Sequence, residues 1–169
     1  MRRVWRAVLL LLLASVPSAA QVKNDEQAIL QVMQRCYGTL SAREFLAFRD
    51  CFWPQALITT CWKISPKAKN PQLYAQYIEE FIVNTEKSMG QFASFSDSSL
   101  AHEIQIYDNI AQVWSIYEVR FQNLEGKTAS WRGIDMFQFI RDQDQWRIIA
   151  LTFTREIPAQ PLLRSGASK

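Results

Sequence analysis

The segment Trp131–Phe139 carries a lone carboxylate, Asp135, among large apolar side chains. Alternate residues of a strand share a face, so Asp135 is predicted to lie on the same side as Trp131 and Phe137. Ionising a carboxylate in apolar surroundings is costly, so we expect it to be paired, protonated or chemically active. Asp135 is therefore a candidate catalytic acid–base group. The alternative is a structural carboxyl bonded to a backbone amide or a tyrosine hydroxyl.

His102 is the single histidine of the chain and the second candidate catalytic residue. It alternates with Ile104 and Ile106 on the predicted inward face of a strand. If its imidazole lies near Asp135, the pair can move protons near neutral pH. Its place at the end of the strand fits a solvent-facing residue at a rim equally well.

A set of aromatic and hydroxyl-bearing side chains is predicted to face the same interior. Such residues can wall a flat apolar ligand, or they can form the ordinary core that a domain of this size needs. We find no second acid on an inward face to pair with Asp135. The candidate ligand-pocket residues are Tyr37, Trp53, Thr60, Trp62, Ser115, Tyr117, Trp131, Phe137 and Thr152.

Residues 1–20 have the pattern of a secretory signal peptide. Arg2, Arg3 and Arg6 precede the apolar run Leu9–Leu13, which is too short to span a bilayer stably, and Ser18–Ala20 offers a small-residue cleavage site. Cleavage leaves 16 basic and 16 acidic residues, with no basic stripe of the kind that binds nucleic acid. We expect an exported protein, in a bacterial periplasm or secreted, without a membrane segment after cleavage.

Three cysteines, Cys36, Cys51 and Cys61, remain after that cleavage. Export permits disulfides, and three thiols leave one over, so we expect one bridge of undetermined pairing and one free buried cysteine. Three unpaired thiols are the alternative. The spacings match no zinc site, and no phosphate-binding loop or metal-ligand cluster is present, so we predict neither metal nor cofactor.

Hydrophobic periodicity predicts three helices in the N-terminal half, after Asn24, Ser41 and Asn70. A strand is predicted at Ala56–Ile64, between the second and third helices, and four hairpin-linked strands follow the predicted mobile loop Lys87–Ser98. Helices segregated from an antiparallel sheet indicate the α+β class. We predict a single domain over residues 21–157, with residues 158–169 as a disordered tail. In that domain a cone-shaped, curved antiparallel sheet and the three helices close a pocket.

The element order and four segments resemble the nuclear-transport-factor-2-like superfamily, in the branches of ketosteroid isomerase and the SnoaL-like polyketide cyclases. The segments are V-M-Q-R-C-Y-G-T-L at 32–40, F-R-D-C-F-W-P-Q-A at 48–56, K-T-A-S-W-R-G-I-D-M-F-Q-F at 127–139 and W-R-I-I-A-L at 146–151. The resemblance covers 26–156. This scaffold hosts isomerases, cyclases, dehydratases, binding proteins and assembly domains, so the resemblance implies a fold rather than one activity.

The isomerases of this family use three groups: a carboxylate base on the first strand, a tyrosine on the first helix and a protonated aspartic acid on the penultimate strand. The resemblance places the aspartic acid at Asp135, the tyrosine at Cys36, next to Tyr37, and the base at Thr60. A threonine hydroxyl cannot replace a carboxylate base near neutral pH. One of the three groups is therefore retained at its own position.

From these residues we expect the chain to bind a small apolar or amphipathic molecule without strong catalysis. One alternative is an isomerase, cyclase or dehydratase that uses Asp135 and His102 as acid–base groups. The other is an interaction module that forms a homodimer through the outer face of the sheet. Trp114, Ile116, Ile134 and Met136 are predicted to lie on that face.

Overall fold

The structure is a computed structural model that describes residues 19–62, 69–157 and 161–162. The helices are α1 (Ala19–Ala42), α2 (Phe45–Arg49) and α3 (Ile78–Met89). The strands are β1 (Phe52–Trp62), β2 (Gln72–Tyr77), β3 (Phe92–Tyr107), β4 (Ile110–Asn123), β5 (Thr128–Asp142) and β6 (Gln145–Arg155). The predicted α+β class and the three helices of the N-terminal half are confirmed.

The six strands form one sheet in the order β2-β1-β6-β5-β4-β3. Every neighbouring pair is antiparallel except β1 and β6, which run parallel. The four hairpin-linked strands are antiparallel, as predicted, and the parallel pairing of β1 with β6 makes the whole sheet mixed. The parallel pair arises because the last strand returns to the first one, which leaves β2 and β3 as the edges.

Gln72–Tyr77 was predicted to be the first part of the third helix and is instead the edge strand β2. Its aromatic residues Tyr74 and Tyr77 suit a strand, and the free edge of β1 supplies partners for its backbone. Periodicity cannot separate a short helix segment from a short strand. The helix α3 begins one residue later, at Ile78.

The predicted loop Lys87–Ser98 is also wrong, since α3 continues to Met89 and β3 begins at Phe92. This part of β3 alternates in burial. Ser94, Ser96 and Ser98 are exposed, whereas Phe95 and Asp97 are partly buried on the inner face. The Ser-rich composition masked a strand whose inner positions build the site described below.

The core lies between α1 and the inner face of the sheet. Ile29, Met33 and Tyr37 recur at helical spacing on α1 and are buried, as an amphipathic helix requires. Near the start of α1, Asp25 Oδ2 lies 2.5 Å from Arg141 Nη2, and Trp146 Nε1 donates to Asp25 Oδ1 at 3.4 Å. We call Asp25, Arg141 and Trp146 the Asp25 clamp, because they fasten α1 to the β5–β6 hairpin.

The predicted signal peptide and tail fall largely outside the described residues. Ala19 and Ala20 of the signal peptide belong to α1, and Pro161 and Leu162 of the tail are described. Both segments stay predictions. Within the described ranges, no helix combines the length and apolar character needed to cross a membrane.

Candidate functional site

A cavity of about 530 Å³ lies between α1, α3 and the inner face of the sheet. Its walls are mainly aromatic and aliphatic, and the exposed residues Tyr74, Asn84 and Ser88 mark its mouth. A cavity of this size with a few polar groups is typical of a small-molecule site. Its buried or partly buried aromatic walls include Phe48, Phe81, Phe95, Trp131, Phe137 and Phe153.

Asp135 lies in this cavity and is 6% exposed. The Tyr37 hydroxyl donates to Asp135 Oδ2 at 2.6 Å, and Ser115 Oγ lies 3.2 Å from the same hydroxyl. Burial raises the pKa of Asp135 well above its ordinary value, and the nearby Asp97 carboxylate raises it further, although the bond from Tyr37 lowers it. The raised pKa favours the neutral, protonated form of Asp135.

Tyr37 and Asp135 are held in place by residues of helix α1 and strands β4 and β5. Tyr37 belongs to the buried stripe of α1, and Ser115 lies opposite Asp135 in the β4–β5 register. Gly133 leaves room for the ring of Tyr117, because a Cβ there would lie 2.5 Å from Tyr117 Cε1 and 2.0 Å from the Thr154 carbonyl oxygen. The Tyr117 hydroxyl in turn donates to that carbonyl oxygen at 3.3 Å.

A second acid, Asp97 of β3, lines the same cavity, which corrects the expectation that Asp135 has no acidic neighbour. Its backbone N–H donates to Ser41 Oγ at 2.8 Å, which ties this part of β3 to α1. Asp97 Oδ1 is shielded from solvent and has no hydrogen-bond partner within the described part of the chain. Burial raises the pKa of Asp97 to about 7. The alternation of Phe95, Asp97 and Ser99 with exposed serines was the signal for it.

Most predicted pocket residues do lie at the cavity. Tyr37, Thr60, Tyr117, Trp131 and Phe137 line it together with Asp135. Ser115 is fully buried beside Tyr37, and Ser99 Oγ lies 2.8 Å from Ser115 Oγ. The Thr60 hydroxyl donates to the Phe153 carbonyl oxygen at 2.7 Å, so it is satisfied within the sheet. Their functional roles stay predictions.

Three predicted site residues lie elsewhere. His102 lies opposite Ser115 in the β3–β4 register, is exposed on the edge strand β3 and does not line the cavity, which fits the solvent-facing alternative. Trp53 is 38% exposed where the pairing of β1 with β6 shifts register. Thr152 alternates outward between Leu151 and Phe153, and its hydroxyl lies 2.6 Å from Thr59 Oγ1. The side chain of Trp62 falls outside the described residues.

The three cysteines are all free, which corrects the expectation of one disulfide. Cys36 and Cys51 are buried, whereas Cys61 is exposed. The neighbouring Cys36 thiol, together with Arg35, lowers the pKa of Cys51 to about 6 although burial opposes this. In the described ranges, no group of three or more histidine, cysteine, aspartate or glutamate residues is arranged to hold a metal ion.

The fold of the chain is that of nuclear-transport-factor-2-like proteins, so the fold expected from the sequence resemblance is confirmed. No family model matches the sequence. No curated protein matches it either. The assignment of the fold therefore rests on the comparison with solved structures alone.

Among those structures is a nuclear transport factor 2-like superfamily protein from Salmonella enterica, with a TM-score of 0.67 and 14% identity over 88% of this chain and 99% of the other. A candidate scytalone dehydratase from Novosphingobium aromaticivorans gives 0.68 and 11% over 88% and 97%. The association domain of C. elegans CaMKII gives 0.58 and 14% over 78% and 96%. At such identities the likeness shows the fold and leaves the activity open.

Proposed function

We propose that the protein binds a small, largely apolar molecule in the central cavity and holds one polar group of that molecule against Tyr37 and Asp135. The observation that supports this function is the buried, hydrogen-bonded pair Tyr37 and Asp135 at the base of an aromatic cavity of about 530 Å³. The apolar walls supply affinity in proportion to the area that they cover, and the polar pair orients the ligand.

The protonation of this pair defines what it offers to a ligand. Burial raises the pKa values of Tyr37 and Asp135 above their ordinary ranges, which favours the protonated form of each group. Tyr37 donates to Asp135 Oδ2, and the proton of Asp135 then lies on the other oxygen. A neutral carboxylic acid in an apolar site can donate a hydrogen bond to a ligand acceptor.

Filling the mouth of the cavity tests this function. Ser88→Trp places an indole at a lining position of α3, whereas Glu86→Trp places one on an exposed position of the same helix that does not line the cavity. With the neutral fluorescent probe N-phenyl-1-naphthylamine, we expect wild type and Glu86→Trp to bind one equivalent and Ser88→Trp to bind at least about tenfold more weakly. Equal binding by all three proteins would contradict the proposal.

Asp97 supports a second candidate, an enzyme that moves a proton on carbon. A carboxyl group whose pKa is about 7 suits a general base near neutral pH, and Tyr37 and Asp135 are placed to hold the oxyanion that forms. Asp97 would take the proton from a carbon next to a carbonyl. An isomerase would return that proton to another carbon, whereas a dehydratase would deliver it to the departing hydroxyl, which leaves as water. Turnover of an enone panel that Asp97→Asn and Asp135→Asn both abolish would favour this candidate over simple binding.

The outer face of the sheet supports a homodimer as a further proposal. Trp114 is 44% exposed and lies there with Ile134 and Met136 along a groove. A fold neighbour is an association domain. Light scattering at high concentration should give twice the chain mass for wild type and the single chain mass for Trp114→Glu.

Export remains part of the proposal through the pattern of residues 1–20. Protein recovered from the secreting compartment should begin near Gln21. An intact Met1 terminus in that compartment would contradict export with cleavage.

A further inference from the structure

The unpartnered oxygen of Asp97 identifies what the cavity lacks. Oδ1 of this carboxyl is shielded from solvent, lies at the cavity and accepts no hydrogen bond from the described residues. A buried polar atom without a partner costs free energy, and it persists most readily where a ligand supplies the partner. When Asp97 is ionised, the missing group is therefore a hydrogen-bond donor.

The charged residues of the cavity indicate which kind of hydrogen-bond donor fits Asp97. Two acids, Asp97 and Asp135, line it, and no lysine, arginine or histidine is among its described lining residues. The charged and titratable groups around Asp97 are Asp135, Tyr37, Tyr117 and Cys36, with Arg155 stacked on Trp131 beyond Tyr117. The raised pKa of Asp135 favours its neutral form, and a single cation would balance the single charge of an ionised Asp97.

The aromatic walls favour the same occupant. Phe95, Tyr117 and Trp131 line the cavity with Asp97, and aromatic faces attract ammonium groups. A cation paired with one carboxylate and bordered by ring faces avoids the full penalty of burying an isolated charge. An alcohol would satisfy Oδ1 but leave the negative charge of Asp97 unbalanced.

We propose, on the basis of the proposed binding function, that the ligand of this cavity is a hydrophobic amine whose ammonium group donates to Asp97 while its apolar body fills the aromatic cavity. Tyr37 and Asp135 then contact a second polar group or the ring face of the ligand. The selectivity for a cation over a neutral isostere comes from Asp97 alone.

The pH dependence of this selectivity has a defined sign. Because burial raises the pKa of Asp97 to about 7, the empty cavity is neutral at pH 5.5 and carries one negative charge at pH 8. The affinity for an amine should therefore rise between these values, as the carboxyl no longer has to release a proton on binding. A neutral alcohol should bind best at the acid end, where Asp97 is uncharged.

A matched pair of probes tests the inference by calorimetry on the purified protein. 1-Naphthylmethylamine and 1-naphthalenemethanol share one apolar body and differ in charge. At pH 8 we expect wild type to prefer the amine by about tenfold or more, as befits a hydrogen bond to a charged group. Asp97→Asn should lose that preference while it retains the alcohol, and the exposed control Asp108→Asn should keep it.

The outcomes separate this inference from the function on which it rests. If the alcohol binds wild type as tightly as the amine, or if Asp97→Asn still prefers the amine, the amine inference is overturned and the apolar binding site stands. If neither probe binds, the binding function itself fails and the inference fails with it.

Discussion

Two regions of the molecule bury carboxyl groups between helix α1 and the sheet, and they differ in how the charge is treated. In the Asp25 clamp, burial by itself raises the pKa of Asp25, but bonds from Arg141, Trp146 and Gln21 bring it below its ordinary value. Asp97 and Asp135, which we call the cavity acids, have no lysine, arginine or histidine with them among the described lining residues, and burial raises both of their pKa values. The acid with an ion-pair partner stabilises the fold, whereas burial of the cavity acids opposes folding.

This contrast indicates where the protein keeps a site at the expense of stability. A buried acid whose pKa is raised in the folded state favours unfolding at every pH at which the unfolded chain would release its proton. Such groups cluster at functional sites, because a ligand can supply the missing partner. The clamp needs no ligand, since Arg141 and Trp146 already satisfy Asp25.

The largest expected effect is on stability, from Asp97→Asn. The folded protein holds the proton of Asp97 up to a pKa of about 7, against an ordinary value of 3.8, so wild-type stability should decline from about pH 4 to about pH 7. The neutral amide removes this decline. At pH 8 urea unfolding should find the variant more stable by up to about 4 kcal/mol, with little difference at pH 4. If the variant is less stable than wild type at pH 8, Asp97 does not destabilise the folded protein, and the two regions do not differ as described.

Asp25→Ala should act in the opposite direction. The change leaves Arg141 without its carboxylate and Trp146 Nε1 without an acceptor, which should cost about 2–3 kcal/mol at pH 7. The lowered pKa of Asp25 means that its contribution is present above about pH 4 and fades as the pH falls further. Asp108→Asn, on the exposed hairpin, serves as the control. If the urea unfolding midpoint of Asp25→Ala equals that of wild type, the Asp25 clamp does not stabilise the protein.

Tyr37→Phe tests the hydrogen bond between Tyr37 and Asp135 inside the cavity. It removes the donor to Asp135 Oδ2 while keeping the aromatic ring, so we expect a loss of about 1 kcal/mol of stability. Because the Tyr37 bond lowers the pKa of Asp135, its removal should raise that pKa further. Ligand affinity should fall about fivefold, which corresponds to one lost neutral hydrogen bond. Unchanged affinity in calorimetry would place the polar group of the ligand elsewhere.

The smallest effect is expected from His102→Gln. His102 is exposed at the sheet edge and outside the cavity, so the change should alter stability by less than about 0.5 kcal/mol and leave binding and any turnover unchanged. A large loss of turnover in this variant would restore His102 as an acid–base group and move the centre of the site to the edge strand.

Side-chain alternation and helical spacing predicted the core of the site. Asp135 could be placed because it alternates with Trp131 and Phe137 on β5, and Tyr37 because it belongs to the apolar stripe of α1. The hairpin at Asp108-Asn109 was also predictable, and Asp108 there has the positive φ of 51° that such turns use.

The rest of the fold and of the site depends on strand pairing and register, which local sequence patterns do not contain. The parallel pairing of β1 with β6 joins distant segments of the chain. The pairing of β5 with β6 shifts register between Gln138 and Phe139, and alternation counted along the sequence therefore placed Thr152 on the wrong face. Trp53 lies in β1, ahead of the predicted start of that strand, where the pairing with β6 also shifts register. Asp97 was missed because serine-rich composition is typical of loops, although here the serines form the exposed face of a strand.

The most direct test of the cavity acids is a carbon-13 NMR titration of the aspartate carboxyl groups in the ligand-free protein, with Asp97→Asn used to assign the resonance. We expect Asp97 to titrate at a pKa of about 7 and Asp25 to titrate at a pKa below its ordinary value. Addition of 1-naphthylmethylamine should move the Asp97 titration to lower pH. An Asp97 that titrates near 3.8 in the empty protein would contradict the claim that this cavity holds an acid in need of a partner.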